Sequence, residues 1–127
     1  MIGVYINDSK APFTSWILLG LKKYETRKAR TLARFVGENI AIIQTGTGKP
    51  RIVGYATIDA EITYYCKPET ITLDVAEKIE NAMINGTPYE WSSGKKVFYR
   101  LKNVKPCKPY PVPENAKKTR VYAEWEE

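Results

Sequence analysis

Histidine is absent from the 127 residues, and the two cysteines, Cys66 and Cys107, stand far apart. Zinc fingers, Ser-His-Asp triads and Cys-His dyads therefore cannot be built within the chain, and any catalysis must use lysine, carboxylates, tyrosine or hydroxyls. Two cysteines with neither a C-x-x-C spacing nor a dense pattern are expected as free thiols, which suits a cytoplasmic protein. The apolar run Ser15-Trp16-Ile17-Leu18-Leu19 is too short to cross a bilayer, so no membrane partner is expected. Met1–Ile6 lacks a basic lead and a small-residue cleavage site and reads as a first strand, not a signal peptide. Thr45-Gly46-Thr47-Gly48-Lys49-Pro50 is not a phosphate loop, because Ile43 stands where that motif needs glycine and Pro50 follows the lysine. Asp8, Asp59, Glu61 and Asp74 could contribute to an all-carboxylate magnesium site, but no motif groups them; neither a metal nor a cofactor is expected.

What is present suits one domain over residues 1–127, since 43% hydrophobic residues and three tryptophans can build a real core without an evident linker. From Arg51 to Tyr65 the residues Ile52, Gly54, Ala56, Ile58, Ala60, Ile62 and Tyr64 alternate with a more polar set, the period of a strand with one buried face. Such a length implies a curved barrel strand or two strands meeting at a bend, and Gly54, Ala56 and Ala60 allow the close approach that curvature needs. The Gly-rich turn joins it as a hairpin to Ile40–Gln44. A helix capped by Thr70 or Thr72 is expected to run to about Ile84, with Leu73, Ala76, Ile79, Ala82 and Met83 inward and Asn85-Gly86 as its stop, so that the glycosylation-like Asn85-Gly86-Thr87 reads as a helix end. Val97, Tyr99 and Leu101 mark a late strand, and Pro106–Pro113 an extended edge or loop.

Charge is uneven. The total is +6, but Lys22–Arg34 carries net +5 and Lys95–Arg120 net +8, against net −5 over Asp59–Glu90. If the two basic segments meet on one face, the field suits a phosphate backbone, and Tyr24, Tyr99, Tyr110, Tyr122 and Trp91 could stack bases. The bland alternative is a solvated cationic surface over core aromatics.

The densest functional signal is Gly20-Leu21-Lys22-Lys23-Tyr24-Glu25-Thr26-Arg27. Gly20 stops the apolar run as a helix, Tyr24–Arg27 favours extension, and on a strand Glu25 and Arg27 share one face while Tyr24 and Thr26 take the other. With Lys22 in the turn before it, the stretch gathers an ammonium, a carboxylate and a guanidinium able to hold an anion or share protons.

The spacing Gly-x-Lys-x-x-Glu-x-Arg, followed by Phe35-Val36-Gly37-Glu38-Asn39-Ile40, the strands Ile40–Ile43 and Ile52–Ala56, and the closing Asn103-Val104-Lys105-Pro106 and Pro111-Val112-Pro113, resembles the ASCH family, a relative of the PUA domains. The resemblance implies an α+β fold, a PUA-like mixed β-barrel with two or three flanking helices, and a cleft around the motif. It implies binding of RNA or a nucleotide-like ligand through Lys22, Tyr24, Glu25 and Arg27. The alternative is a metal-independent hydrolase, a ribonuclease or an amidohydrolase of acylated nucleosides, with Lys22 and Glu25 catalytic; a third is a protein-interaction module. In the amidohydrolase branch a threonine stands where this chain has Glu25, and Thr26 comes one place later, which turns it to the opposite strand face.

Overall fold

Fifteen consecutive residues, Arg51–Tyr65, form one strand, β4, and it reaches that length by bending. In the computed structural model, which describes residues 1–65, 72–83 and 95–127, β4 runs antiparallel to β5 (Lys95–Pro111), with register shifts at Ile52/Gly54, Tyr55/Thr57 and Ile58/Ala60. Each shift kinks the strand and adds twist. Gly54 is needed at the first: a Cβ there would lie 2.5 Å from Leu18 Cδ2 and 2.6 Å from the Lys105 carbonyl oxygen.

The remaining strands are β1 (Ile2–Asn7), β2 (Tyr24–Arg27), β3 (Asn39–Thr45), β6 (Lys117–Lys118) and β7 (Tyr122–Glu124), in the sheet order β2-β5-β4-β3-β1-β7-β6. β1 and β3 are parallel, the other pairs antiparallel. A parallel pair needs a crossover; this one carries α1 (Phe13–Leu18), β2 and a 3₁₀ turn at Ala33–Phe35. The strongly curved mixed sheet is barrel-like without a closed backbone ladder. Across the seam between β2 and β1, the Arg27 guanidinium donates from Nη2 to the Tyr5 carbonyl at 2.7 Å.

Two apolar clusters lie on opposite faces. The larger gathers Val4, Ile6, Phe13, Ile17, Ile40, Ile42, Val53, Ile58 and Phe98, and the smaller Ala41, Ile43, Ile52 and Ala123 with Tyr5 and Trp125. Strict alternation would put Ile52 beside Ala56 and Ile58; the bulge moves it to the smaller cluster and turns Val53 inward. The proline-rich stretch is an edge, since β5 pairs with β2 only over Val97–Arg100 and leaves its later half without that neighbour. On its other side the stretch still pairs with β4, Pro106 opposite Gly54 and Pro111 opposite Arg51, and prolines are tolerated on such an edge strand, which is paired on one side alone.

Each helix buries one face. α1 is amphipathic, not buried all round: Phe13 and Ile17 are inside, while Leu19 and Leu21 beyond its end are 71% and 53% exposed. α2 (Leu73–Asn81), capped by Thr72, whose hydroxyl accepts from the Val75 amide at 3.3 Å, buries Val75, Ile79 and Ala82. Leu73 is 91% exposed and Ala76 exposed, because the face packed on the sheet is the one carrying Val75, Ile79 and Ala82. Expectations resting on Cys66, Thr70, Ile84, Asn85-Gly86 and Trp91 lie outside the described residues.

Candidate functional site

α1 ends in a Schellman turn: the Leu21 amide donates to the Trp16 carbonyl and the Gly20 amide to the Ile17 carbonyl, both at 2.9 Å, with Gly20 at φ +77°. That turn sends the chain back beneath the helix. Lys22 enters the interior, 2% exposed, with Nζ 5.0 Å from the centre of the Phe13 ring. Its ammonium donates to the Ala82 carbonyl at 2.6 Å and lies 3.8 Å from Glu25 Oε1. Glu25 Oε1 also accepts from the Thr26 amide at 3.2 Å, and Oε2 lies 3.4 Å from Arg27 Nη2. The three motif charges thus form a chain, Lys22 to Glu25 to Arg27, buried at one end and open to solvent at the other.

Burial pushes the Lys22 ammonium below the ordinary lysine value; Glu25 pulls it back up and Arg27 pushes it further down. Arg27 is half-buried, and its Nε is enclosed without a hydrogen-bond partner among the described residues. Most enclosed donors find a partner, so this guanidinium is under-satisfied where it stands.

Two cavities meet at Arg27 and Asn7. The smaller, about 110 Å³, is walled by Ile6, Phe13, Lys22, Glu25 and Thr26. The larger, about 700 Å³, lies outside it between the end of β1, the β3–β4 turn and residues 111–120, and brings Lys49, Lys118 and Arg120 to Arg27 against the single carboxylate Glu114. Tyr5, Pro50, Pro111, Val112 and Pro113 supply apolar wall. Four cations beside an apolar surface can hold a flat ring carrying anionic groups.

The structure brings Lys22, Glu25 and Arg27 together, as the strand periodicity predicts, and places Tyr24 on the other side of β2. There it meets Phe98 edge-on at 6.0 Å, with Lys78 Nζ 5.7 Å from its ring, and lines neither cavity. Thr26, expected to face away, does contribute to the wall of the small cavity. The other expected stacking residues among the described ones have contacts away from both cavities. Tyr99 is fully buried and donates to Glu61 at 2.8 Å; Tyr122 packs edge-on against Phe35 beneath Arg34; Tyr110 is 2.5 Å from the Tyr55 hydroxyl. Desolvation, with Glu61 accepting its proton, pushes the Tyr99 phenol up to about 12.

Part of the sequence's charge segregation cancels in space. Arg30 pairs with Glu61 at 2.6 Å, and Arg100 and Lys102 pair with Asp59 at 2.6 and 3.3 Å. These cations hold the Asp59 carboxyl below its ordinary range, the Arg100 hydrogen bond most. The acids considered for magnesium are likewise spoken for: Asp8 accepts from the Thr14 amide at 3.0 Å and Gln44 Nε2 at 2.8 Å, and Asp74 accepts from Tyr64 and Lys78. Among the described residues no cluster of three potential ligands is poised for a metal.

Sequence reasoning missed Tyr5, Asn7, Lys49 and the pair Lys118 and Arg120 as cleft residues. The alternation in β1, which sends Val4 and Ile6 inward, implies an outward Tyr5. Lys49 had no such signal: Gly46 and Gly48, at φ +84° and +128°, shape the turn that delivers it to the cleft rim.

No protein-family model matches the chain, and no curated protein matches it in sequence. Solved structures do. The crystal structure of ASCH from Zymomonas mobilis aligns with a TM-score of 0.70 at 15% identity, covering 99% of this chain and 87% of that one. A Tyr-to-Phe mutant of that protein aligns at 0.63 and 15% identity, over 99% of this chain and 89% of its own. A Ser-to-Ala mutant aligns at 0.56 and 16% identity, over 98% and 88%. Across nearly its whole length, this chain has the ASCH fold.

Proposed function

We propose that this protein binds single-stranded RNA or a nucleotide-like ligand in the larger cleft, with the small cavity as its inner end. The observation that carries the reading is the convergence of Arg27, Lys49, Lys118 and Arg120 on one apolar-walled cleft holding a single carboxylate. Anionic phosphates would meet the cations while the ring packs on Tyr5 and the prolines. The family resemblance points the same way, since ASCH-like proteins include RNA binders. In this reading Glu25 holds Arg27 in place, Lys22 fixes the inner wall, and Tyr24 supports β2 from behind. A cytoplasmic setting fits Cys107, a free and half-buried thiol. The test is titration of a labelled single-stranded RNA oligonucleotide followed by anisotropy. Micromolar binding that weakens about tenfold in Arg120→Ala supports the cleft; equal affinity of the two proteins rejects it.

One observation favours a second reading. A buried lysine whose ammonium burial disfavours, held beside a carboxylate, is what a proton-transferring site needs, so the same cavity suits a metal-independent hydrolase of RNA or of an acylated nucleoside. Lys22 would act as base and Glu25 as its partner. Turnover that survives chelator and disappears in Lys22→Met would place this reading first.

A further inference from the structure

The C-terminal end of α2 is bound to the motif by two hydrogen bonds. The Lys23 amide donates to the Asn81 carbonyl at 2.8 Å, and Lys22 Nζ to the Ala82 carbonyl at 2.6 Å. The last carbonyls of a helix have no partner within it and form the negative end of its dipole, so an ammonium there satisfies an acceptor and gains from the field. Around Nζ stand Glu25 and Arg27 from β2, the Phe13 ring from α1 and the Ala82 carbonyl from α2. The last comes from the end of α2, which among the described residues is seated on the sheet by buried Val75, Ile79 and Ala82, by Tyr64 donating to Asp74, and by Lys78 over Tyr24 and Tyr64. The motif therefore faces two ways. Its Tyr24 side helps seat the helix, and its Lys22 side is held by the end of that helix.

We propose that α2 is the positioning element for Lys22, its Ala82 carbonyl holding the ammonium in the wall of the small cavity so that loosening the helix releases the lysine. With α2 docked, the ammonium is committed to Ala82 and Glu25 and is closed to reagents. With α2 displaced, the carbonyl and the cover leave together, and a mobile cation enters the cavity beside Arg27. This holds whatever ligand the cleft takes.

The test is acylation of lysine amines on the full-length protein at one fixed pH, read for each lysine by mass spectrometry, with the exposed Lys10 and Lys28 as internal references. Wild-type Lys22 should react far more slowly than these. Thr72→Ala, which removes the helix cap, and Ile79→Val, which trims the seat, should each raise Lys22 reactivity about fivefold and leave the references unchanged. Ile43→Val, in the smaller apolar cluster, lowers global stability without touching α2 and should leave Lys22 protected. The proposal is overturned if Ile43→Val raises Lys22 reactivity as much as the α2 variants do. It is also overturned if Lys22 stays protected while amide exchange shows α2 opened.

Discussion

Replacing Glu25 by glutamine removes the charge that links Lys22 to Arg27 while keeping nearly the same shape. At 3.8 Å and an effective dielectric of about 20, the Glu25–Lys22 attraction alone is about 4 kcal/mol. Solvent does little to screen it, since the two side chains are 11% and 1% exposed. Part of that attraction offsets the cost of burying the charges, and loss of one member of a buried pair typically costs 3–5 kcal/mol. We expect Glu25→Gln to destabilise by about 3 kcal/mol, or a melting temperature about 10 °C lower for a chain of this length. Lys22→Met removes the other charge, leaves Glu25 with Arg27 and orphans only the Ala82 carbonyl, so it should cost about 1–2 kcal/mol. Once methionine stands at position 22, Glu25→Gln no longer strands a buried ammonium, and the double variant should be about 2 kcal/mol more stable than additivity predicts. Urea unfolding with a constant m-value measures all four corners of the cycle. An additive cycle, or a Glu25→Gln cost below about 1 kcal/mol, would show that the motif's charges do not act as a linked set.

Further outcomes follow from other parts of the molecule. Lys22 binds fewer protons folded than unfolded between its lowered pKa and the ordinary 10.5, so stability should rise with pH through that window, and Lys22→Met should flatten the rise in urea midpoints. Tyr99 has the opposite sign: with its phenol raised from 10.0 to about 12, it contributes stability below pH 10 that is lost on going to 12. Its ultraviolet ionisation should stay late in wild type and come earlier in Glu61→Gln; an unchanged midpoint would refute the role given to Glu61. Gly54→Ala places a methyl against Leu18 and the Lys105 carbonyl, and should cost about 2–3 kcal/mol by thermal unfolding.

The local pattern made the motif legible. Gly20 marked a helix end, and the two-residue period put Glu25 and Arg27 on one face; both are decided within a few residues of chain. Near-neighbour rules say nothing about what lies opposite, so the Ala82 carbonyl, sixty residues from Lys22, was invisible. The same gap hid the pairing of Asp59 and Glu61 with Arg100 and Arg30, which offsets part of the apparent charge polarity. The period of β4 predicts unbroken alternation, but the register shifts along the strand take Ile52 off the face of Ala56 and Ile58 and put Val53 on it. In α2 Ile79 and Ala82 lie inward as their spacing predicts, but Leu73 and Ala76, which fit the same spacing, face solvent and Val75 is buried in their place; packing against the sheet chooses between them.

The cleft is most directly tested by the salt dependence of single-stranded RNA binding in wild type and in Lys118→Ala/Arg120→Ala. If Arg27, Lys49, Lys118 and Arg120 each neutralise a phosphate, log affinity against log salt should fall with a slope of about −3, and the double variant should bring it to about −1.5. A slope near zero, or the same slope in both proteins, would contradict the assignment of this cleft to a nucleic-acid ligand.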